Sequence, residues 1–247
     1  MTDPTNHDPM AAGETLPIGE PLRGISTVIV SWHGVLFDRD RREIHAATAG
    51  TFARWSVSLD EADLIATRGP AGRSHILRLL AVPRVAESFR ARHRRWASED
   101  DIAAMVRDLE PRLLAAAHAA PEPTPEAAGF LRALHSRGIR TASICCLSTG
   151  MIQPQVAALR SDPSLLDCIV ATDAGCEPAP APWGIYEVAR ELGVDRPARI
   201  AFIDDSPVGA TAARNAGTRG IHLALTSHPG PTDAHFTVRS LDELLRD

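Results

Sequence analysis

Ser26-Thr-Val-Ile-Val-Ser-Trp32 is β-branched and apolar without alternation, so both faces of this segment are built to be covered. A central strand of a parallel sheet has that pattern, and Gly34 ends it. From about 43 to 120 the spacing is helical throughout, after which strand and helix alternate again. Thr124-Pro125 opens a helix to about Arg137, and strands are expected near Arg140 to Cys146, Cys168 to Ala171, Arg199 to Asp204 and Gly220 to Leu225. Ile185, Val188, Ala189 and Leu192 mark an amphipathic helix that stops at Gly193, and Ser240 with Glu243 caps a final helix. Strands separated by helices predict an α/β fold with a doubly wound parallel sheet, whose ligands bind beyond the carboxyl ends of the strands. Ser31, Cys145 and Asp205 fall at such ends.

The helical stretch carries its own punctuation. Ser58 with Glu61 reads as a capping box, Gly69-Pro70 as a break, Pro83 as the first turn of a new helix, and Ser98 with Asp101 as another acidic cap. Ile102, Met105, Val106, Leu109 and Leu113 would share one face, with Pro111 expected to kink or restart their helix. The expected organisation is a flexible tail over 1–22, a core made of 23–40 and 121–247, and a helical cap over 41–120 inserted between the two core segments.

Composition narrows the chemistry. The 247 residues are 44% hydrophobic and 23% charged, enough for a sizeable core. No apolar run exceeds five residues, as in Leu113 to Ala117, far too short to span a bilayer, and the acidic, proline-bearing start lacks the basic and apolar regions of a signal peptide. A net charge of -5 offers no footprint for nucleic acid or an anionic membrane, and the basic strip of Arg90, Arg92, Arg94 and Arg95 reads as a solvated helix face. Cys145, Cys146, Cys168 and Cys176 lack paired spacing, so reduced thiols in a cytoplasmic protein are expected. All 26 basic residues are arginine, which closes every lysine-dependent mechanism to this chain acting alone; with its abundant alanine, this composition fits a high-GC bacterium.

Four separated segments carry a resemblance: Val28-Ile-Val-Ser-Trp-His-Gly34, Arg68-Gly-Pro-Ala-Gly72, Ala181-Pro-Trp183, and Phe202-Ile-Asp-Asp-Ser206 followed by Arg214-Asn-Ala-Gly217. Their order and spacing resemble the haloacid dehalogenase (HAD) superfamily and, within it, the phosphonoacetaldehyde hydrolases. The resemblance runs from about Ile25 to Leu225 and implies a HAD-like Rossmannoid core with an inserted α-helical cap domain. It also implies side chains that this sequence lacks. The superfamily's nucleophilic aspartate, which also helps hold magnesium, corresponds to Ser31, whose neutral hydroxyl is a poor nucleophile without a base and a poor magnesium ligand. Two positions on stands His33. The imine-forming cap lysine should follow Gly69-Pro-Ala-Gly72, where Arg73-Ser-His75 stands instead; arginine stays protonated and cannot attack a carbonyl. The phosphate-binding threonine or serine of the second motif corresponds to Cys145, followed by Cys146, and the basic residue of the third to Ala179. Only the acidic pair Asp204 and Asp205 matches the fourth motif.

Losing one preorganised charge-stabilising group typically costs on the order of 10²- to 10³-fold in rate, and here the losses fall on four segments. The expected function is that of a catalytically degenerate HAD-like protein, a binding or stabilising subunit of a partner enzyme in bacterial small-molecule biosynthesis. Its partner would be a catalytic subunit or a second copy of itself docked through the cap. The alternative is a small-molecule hydrolase or lyase in which Ser31, His33 and Asp205 form a new nucleophilic constellation. The expected ligand-binding residues are His33, His75, Cys145, Asp204 and Asp205. No cofactor or metal is expected, Asp205 being only a weak candidate for Mg²⁺. The acidic pair has a structural reading beside this one, as caps of the helix that begins near Pro207, and Trp183 and Tyr186 read as packing residues.

Overall fold

The computed structural model describes residues 19–38, 41–68, 72–171, 177–224 and 232–246. Six strands, β1 (Thr27–Ser31), β2 (Arg140–Cys145), β3 (Cys168–Ala171), β4 (Ile200–Asp204), β5 (Arg219–Leu223) and β6 (Phe236–Val238), form one parallel sheet in the order β3-β2-β1-β4-β5-β6. The continuous apolar run of β1 is explained by its central place, paired with β2 on one side and β4 on the other, and all five of its residues are buried. Val28 and Val30 face a layer containing Phe130 and Leu134 of α6 (Pro125–Ser136) and Val156 and Leu159 of α7 (Gln153–Arg160). Ile29 faces the opposite layer, with Ile185 and Val188 of α8 (Trp183–Glu191) and Ala212, Ala213 and Ala216 of α9 (Pro207–Ala216). The fold is therefore an α/β Rossmannoid sheet covered on both faces.

Five helices lie between β1 and α6: α1 (Arg42–Arg54), α2 (Glu61–Ala66), α3 (Gly72–Leu80), α4 (Pro83–His93) and α5 (Glu99–Ala119). Phe52, Ile76, Leu79, Phe89, Met105 and Leu109 bury themselves in the same hydrophobic cluster as Val28 and Val30, so cap and core share one interior. The chain leaves and re-enters the core side by side, where Thr124 N–H donates to Leu36 C=O at 2.9 Å. Trp32 adds a buried tie: its Nε1 donates to Gln155 Oε1 at 2.6 Å, and Gln155 Nε2 donates to Ala120 C=O at 2.9 Å, just past α5.

Several local expectations are corrected. Residues 1–18 of the expected tail lie outside the described residues, but Glu20–Leu22 forms a 3₁₀ turn whose Leu22 is buried, tied by Gly19 N–H to Leu244 C=O at 3.1 Å. Asp60 and Asp63, not Ser58 and Glu61, form the capping box of α2, with Asp60 N–H donating to Asp63 Oδ2 at 2.8 Å. Ser98 and Asp101 cap α5 as expected. Pro111 does not restart that helix: it removes one backbone donor, while Met105, Leu109, Leu113 and Ala116, before and after it, stay buried as α5 packs along α1 and α3. The last element is a 3₁₀ turn, Leu241–Leu245, and β6 was not anticipated because three residues carry too little pattern. Trp183 and Tyr186 are not packing residues; they are 52% and 40% exposed and lean edge-on against each other, 6.0 Å between ring centres.

Candidate functional site

The carboxyl ends of β1, β2 and β4 meet at a cavity of about 70 Å³, room for a few water molecules. Ser31, Trp32 and His33 reach it from β1 and the turn beyond, Cys146 from the end of β2, Asp204 from β4, and Glu177, Pro178 and Ala179 from the segment before α8. Arg41, which completes the wall, stands where the chain enters the cap.

The acidic pair occupies seats that only glycine leaves open. Gly34 has φ +86°, and a Cβ there would lie 2.3 Å from the Asp205 carboxyl group. A Cβ on Gly209, in the first turn of α9, would lie 2.2 Å from Asp204 Cγ. Asp204 Oδ1 accepts from Ser206 N–H at 2.7 Å and from Ser206 Oγ at 2.5 Å, and Ser206 Oγ accepts from Gly209 N–H at 3.3 Å. Asp204 thus holds the residue that caps α9, the structural role that the sequence left open. Burial and the neighbouring Asp205 charge push its carboxyl up to about 6, against opposing pulls from Arg41 and Ser206.

Asp205 is committed differently. Arg41 Nε donates to Asp205 Oδ2 at 2.8 Å, and Arg41 Nη2 donates to Asp205 Oδ1 at 2.5 Å and to His33 C=O at 2.9 Å. The pair is buried, with side chains 9% and 0% exposed. Desolvation opposes the charge on Arg41, but the Asp205 carboxylate outweighs it and holds the guanidinium pKa above its ordinary value. Arg41 sits in the left-handed region at φ 54°, immediately before α1, whose first amides are capped from outside by Asp38: Arg42 N–H at 2.8 Å and Glu43 N–H at 3.0 Å. Sequence reasoning missed Arg41. It is one arginine among many, 164 residues from its partner, and no periodicity marks such a contact.

The structure gathers Ser31, His33 and Asp205 but does not join them into a relay. Ser31 Oγ donates to His33 C=O at 3.3 Å, and both Asp205 oxygens face Arg41. Burial, assisted by the Arg41 charge, lowers the His33 pKa to about 3, so its imidazole is neutral near pH 7 and a feeble base there. His75 is buried on α3 and does not line the cavity; Thr67 Oγ1 spends its proton on Asp63 C=O at 2.8 Å, leaving His75 Nε2 to donate to it at 3.1 Å. Burial and Arg41 hold His75 down at about 4. Cys145 is fully buried, its Sγ accepting from Leu147 N–H at 3.4 Å; Cys146 is the thiol on the cavity, and burial pushes its pKa up. Gly69, Pro70, Ala71 and Cys176 lie outside the described residues.

The magnesium ion implied by the resemblance does not fit this donor set. A hard divalent cation needs free anionic and carbonyl oxygens. Here both Asp205 oxygens and the His33 carbonyl are taken by one guanidinium, Asp204 Oδ1 is taken by Ser206, and Ser31 offers only a hydroxyl.

A sequence model of haloacid dehalogenase-like hydrolases matches residues 25–217. The chain belongs to this family. Within the family it is phosphonoacetaldehyde hydrolase-like: it is 30% identical over 212 residues to the phosphonoacetaldehyde hydrolase of Paraburkholderia phytofirmans, covering 84% of this chain and 78% of that protein. The corresponding enzyme of Bordetella pertussis is 25% identical over 230 residues, covering 92% of this chain and 82% of its own. Among solved structures, a phosphonoacetaldehyde hydrolase-like protein from Oleispira antarctica superposes with a TM-score of 0.80 at 18% identity, covering 95% of this chain and 94% of its own, a likeness of fold.

Proposed function

We propose that this chain is a catalytically degenerate member of its family that binds or stabilises a partner enzyme in the bacterial cytoplasm, in small-molecule biosynthesis. The observation that carries the reading is the end of β1, where Ser31 places a neutral hydroxyl bonded to His33 C=O beside an Asp205 already neutralised by Arg41. No attacking carboxylate stands there, Ala179 brings no charge to the cavity wall, and the chain has no lysine to form an imine. The cap supports a docking role: Trp96 is 57% exposed and Leu77 38% exposed beside a shallow apolar depression that includes Leu80, Phe89 and Ile102. The partner would be a catalytic subunit or a second copy of this chain. Co-expression with the enzymes encoded beside it tests the reading: one of them should gain soluble yield or activity only with this chain, and a Trp96→Ser change should weaken that gain. A monomeric chain without such an effect, turning over substrate by itself, would refute it.

A second reading, a hydrolase or lyase with altered chemistry, draws on the same cavity, because Ser31, His33 and Cys146 all line it. It requires turnover of phosphorylated or phosphonate substrates that disappears in both Ser31→Ala and Asp205→Asn.

A further inference from the structure

The contact between Arg41 and Asp205 has the form of a cation site with the cation built into the chain. A carboxylate and a backbone carbonyl, buried together at the ends of two strands, are oxygen donors of the kind that hard metal ions take. Nη2 of one guanidinium bonds to both, at 2.5 Å to Asp205 Oδ1 and 2.9 Å to His33 C=O, while Nε closes the fork on Asp205 Oδ2 at 2.8 Å. Gly34 keeps the seat open for the carboxylate, since a Cβ there would stand 2.3 Å from it and force one of the two to shift. The arginine itself stands in a left-handed conformation that residues with a Cβ seldom adopt, so the surrounding structure must hold it there.

We propose that Arg41 is a resident cation that takes the place of a divalent metal ion at Asp205 and the His33 carbonyl, so that this protein assembles its site, and fixes the entry of the cap, without metal. Three consequences follow from the geometry. The wild-type site has no affinity for Mg²⁺ or Mn²⁺. Removing the guanidinium exposes the carboxylate and the carbonyl together and creates a metal site. A lysine at 41 keeps the charge and therefore still excludes the ion. The inference holds whether or not the chain serves another enzyme.

The test is a titration of the full-length protein with Mn²⁺, the free ion being read by its electron paramagnetic resonance signal. Wild type and Arg41→Lys should show no specific binding tighter than about 1 mM. Arg41→Gln and Arg41→Ala should bind one Mn²⁺ at least about tenfold more tightly than wild type, and adding Asp205→Asn should abolish that gain. Wild-type protein that takes up one Mn²⁺ below that concentration and loses it with Asp205→Asn would overturn the proposal. So would a folded Arg41→Gln or Arg41→Ala protein without the gain. If neither variant folds, the wild-type titration decides alone.

Discussion

The Asp205 carboxylate and the Arg41 guanidinium meet through two parallel hydrogen bonds, 2.8 Å and 2.5 Å long, with both side chains withdrawn from water. One residue follows directly on β4; the other stands immediately before α1. Breaking such a pair from one side leaves the other charge buried and uncompensated, which typically costs about 3 to 5 kcal/mol. Arg41→Met and Asp205→Leu should each lose stability on that scale. The double variant should lose much less than the sum, because no orphaned charge remains. Urea unfolding midpoints for the three variants measure this; additive losses would mean the pair is not coupled.

Gly34→Ala should destabilise the protein by at least about 1 to 3 kcal/mol, through crowding at the Asp205 carboxyl and through its left-handed backbone. Alanine at Gly129, within α6, meets nothing within 4 Å and serves as the control. Thermal melts of the two variants should separate clearly, and equal melting temperatures would contradict the seat assigned to Asp205.

Acid should weaken the fold before it weakens most carboxylate contacts. His33 and His75 are held near 3 and 4, below the ordinary 6.5, so as pH falls through 6.5 the unfolded chain takes up protons that the folded one refuses. Stability from these two is complete above about pH 7 and is lost toward pH 4. Asp204 works in the opposite sense: raised to about 6, it favours the folded state below its unfolded pKa and loses that contribution as pH rises through 6. His45, likewise lowered to about 4 by burial and the Arg68 and Arg41 charges, adds to His33 and His75, so the histidines outweigh the one aspartate and stability falls with acidification between pH 6 and 5. Denaturant midpoints at pH 7.5, 6 and 5 give the slope; a flat profile would show that these imidazoles are solvated.

Ser31→Asp should not produce a phosphatase. The new carboxylate would join Asp204 and Glu177 around a cavity whose one wall cation, among the described residues, is Arg41, already committed to Asp205. The variant should lose stability and remain without turnover. Phosphate release by the folded variant, at rates usual for the family, would contradict the idea that several separate losses disabled the site.

Much of the scaffold was legible. The two-faced apolar run of β1, the strand ends at Cys145 and Asp204, and Gly193 closing α8 are local patterns set by burial and backbone geometry. The chemistry was legible only as losses. Ser31, His33, Asp204 and Asp205 do gather at the sheet's carboxyl end, but what each one bonds to depends on contacts between distant parts of the chain. Arg41 is the clearest case, hidden in the charged run between β1 and α1. Cys145 and Cys146 show the same limit on a smaller scale: adjacent thiols at a strand end, of which the first enters the core and the second lines the cavity.

The most direct test of the central claim, that this inherited site no longer performs its family's reaction, is a steady-state assay of the purified chain with phosphonoacetaldehyde, with and without millimolar Mg²⁺. The account predicts phosphate release at the background rate in both conditions, unchanged by Ser31→Ala. Magnesium-dependent turnover at rates usual for the hydrolases it resembles, abolished by Ser31→Ala, would contradict it.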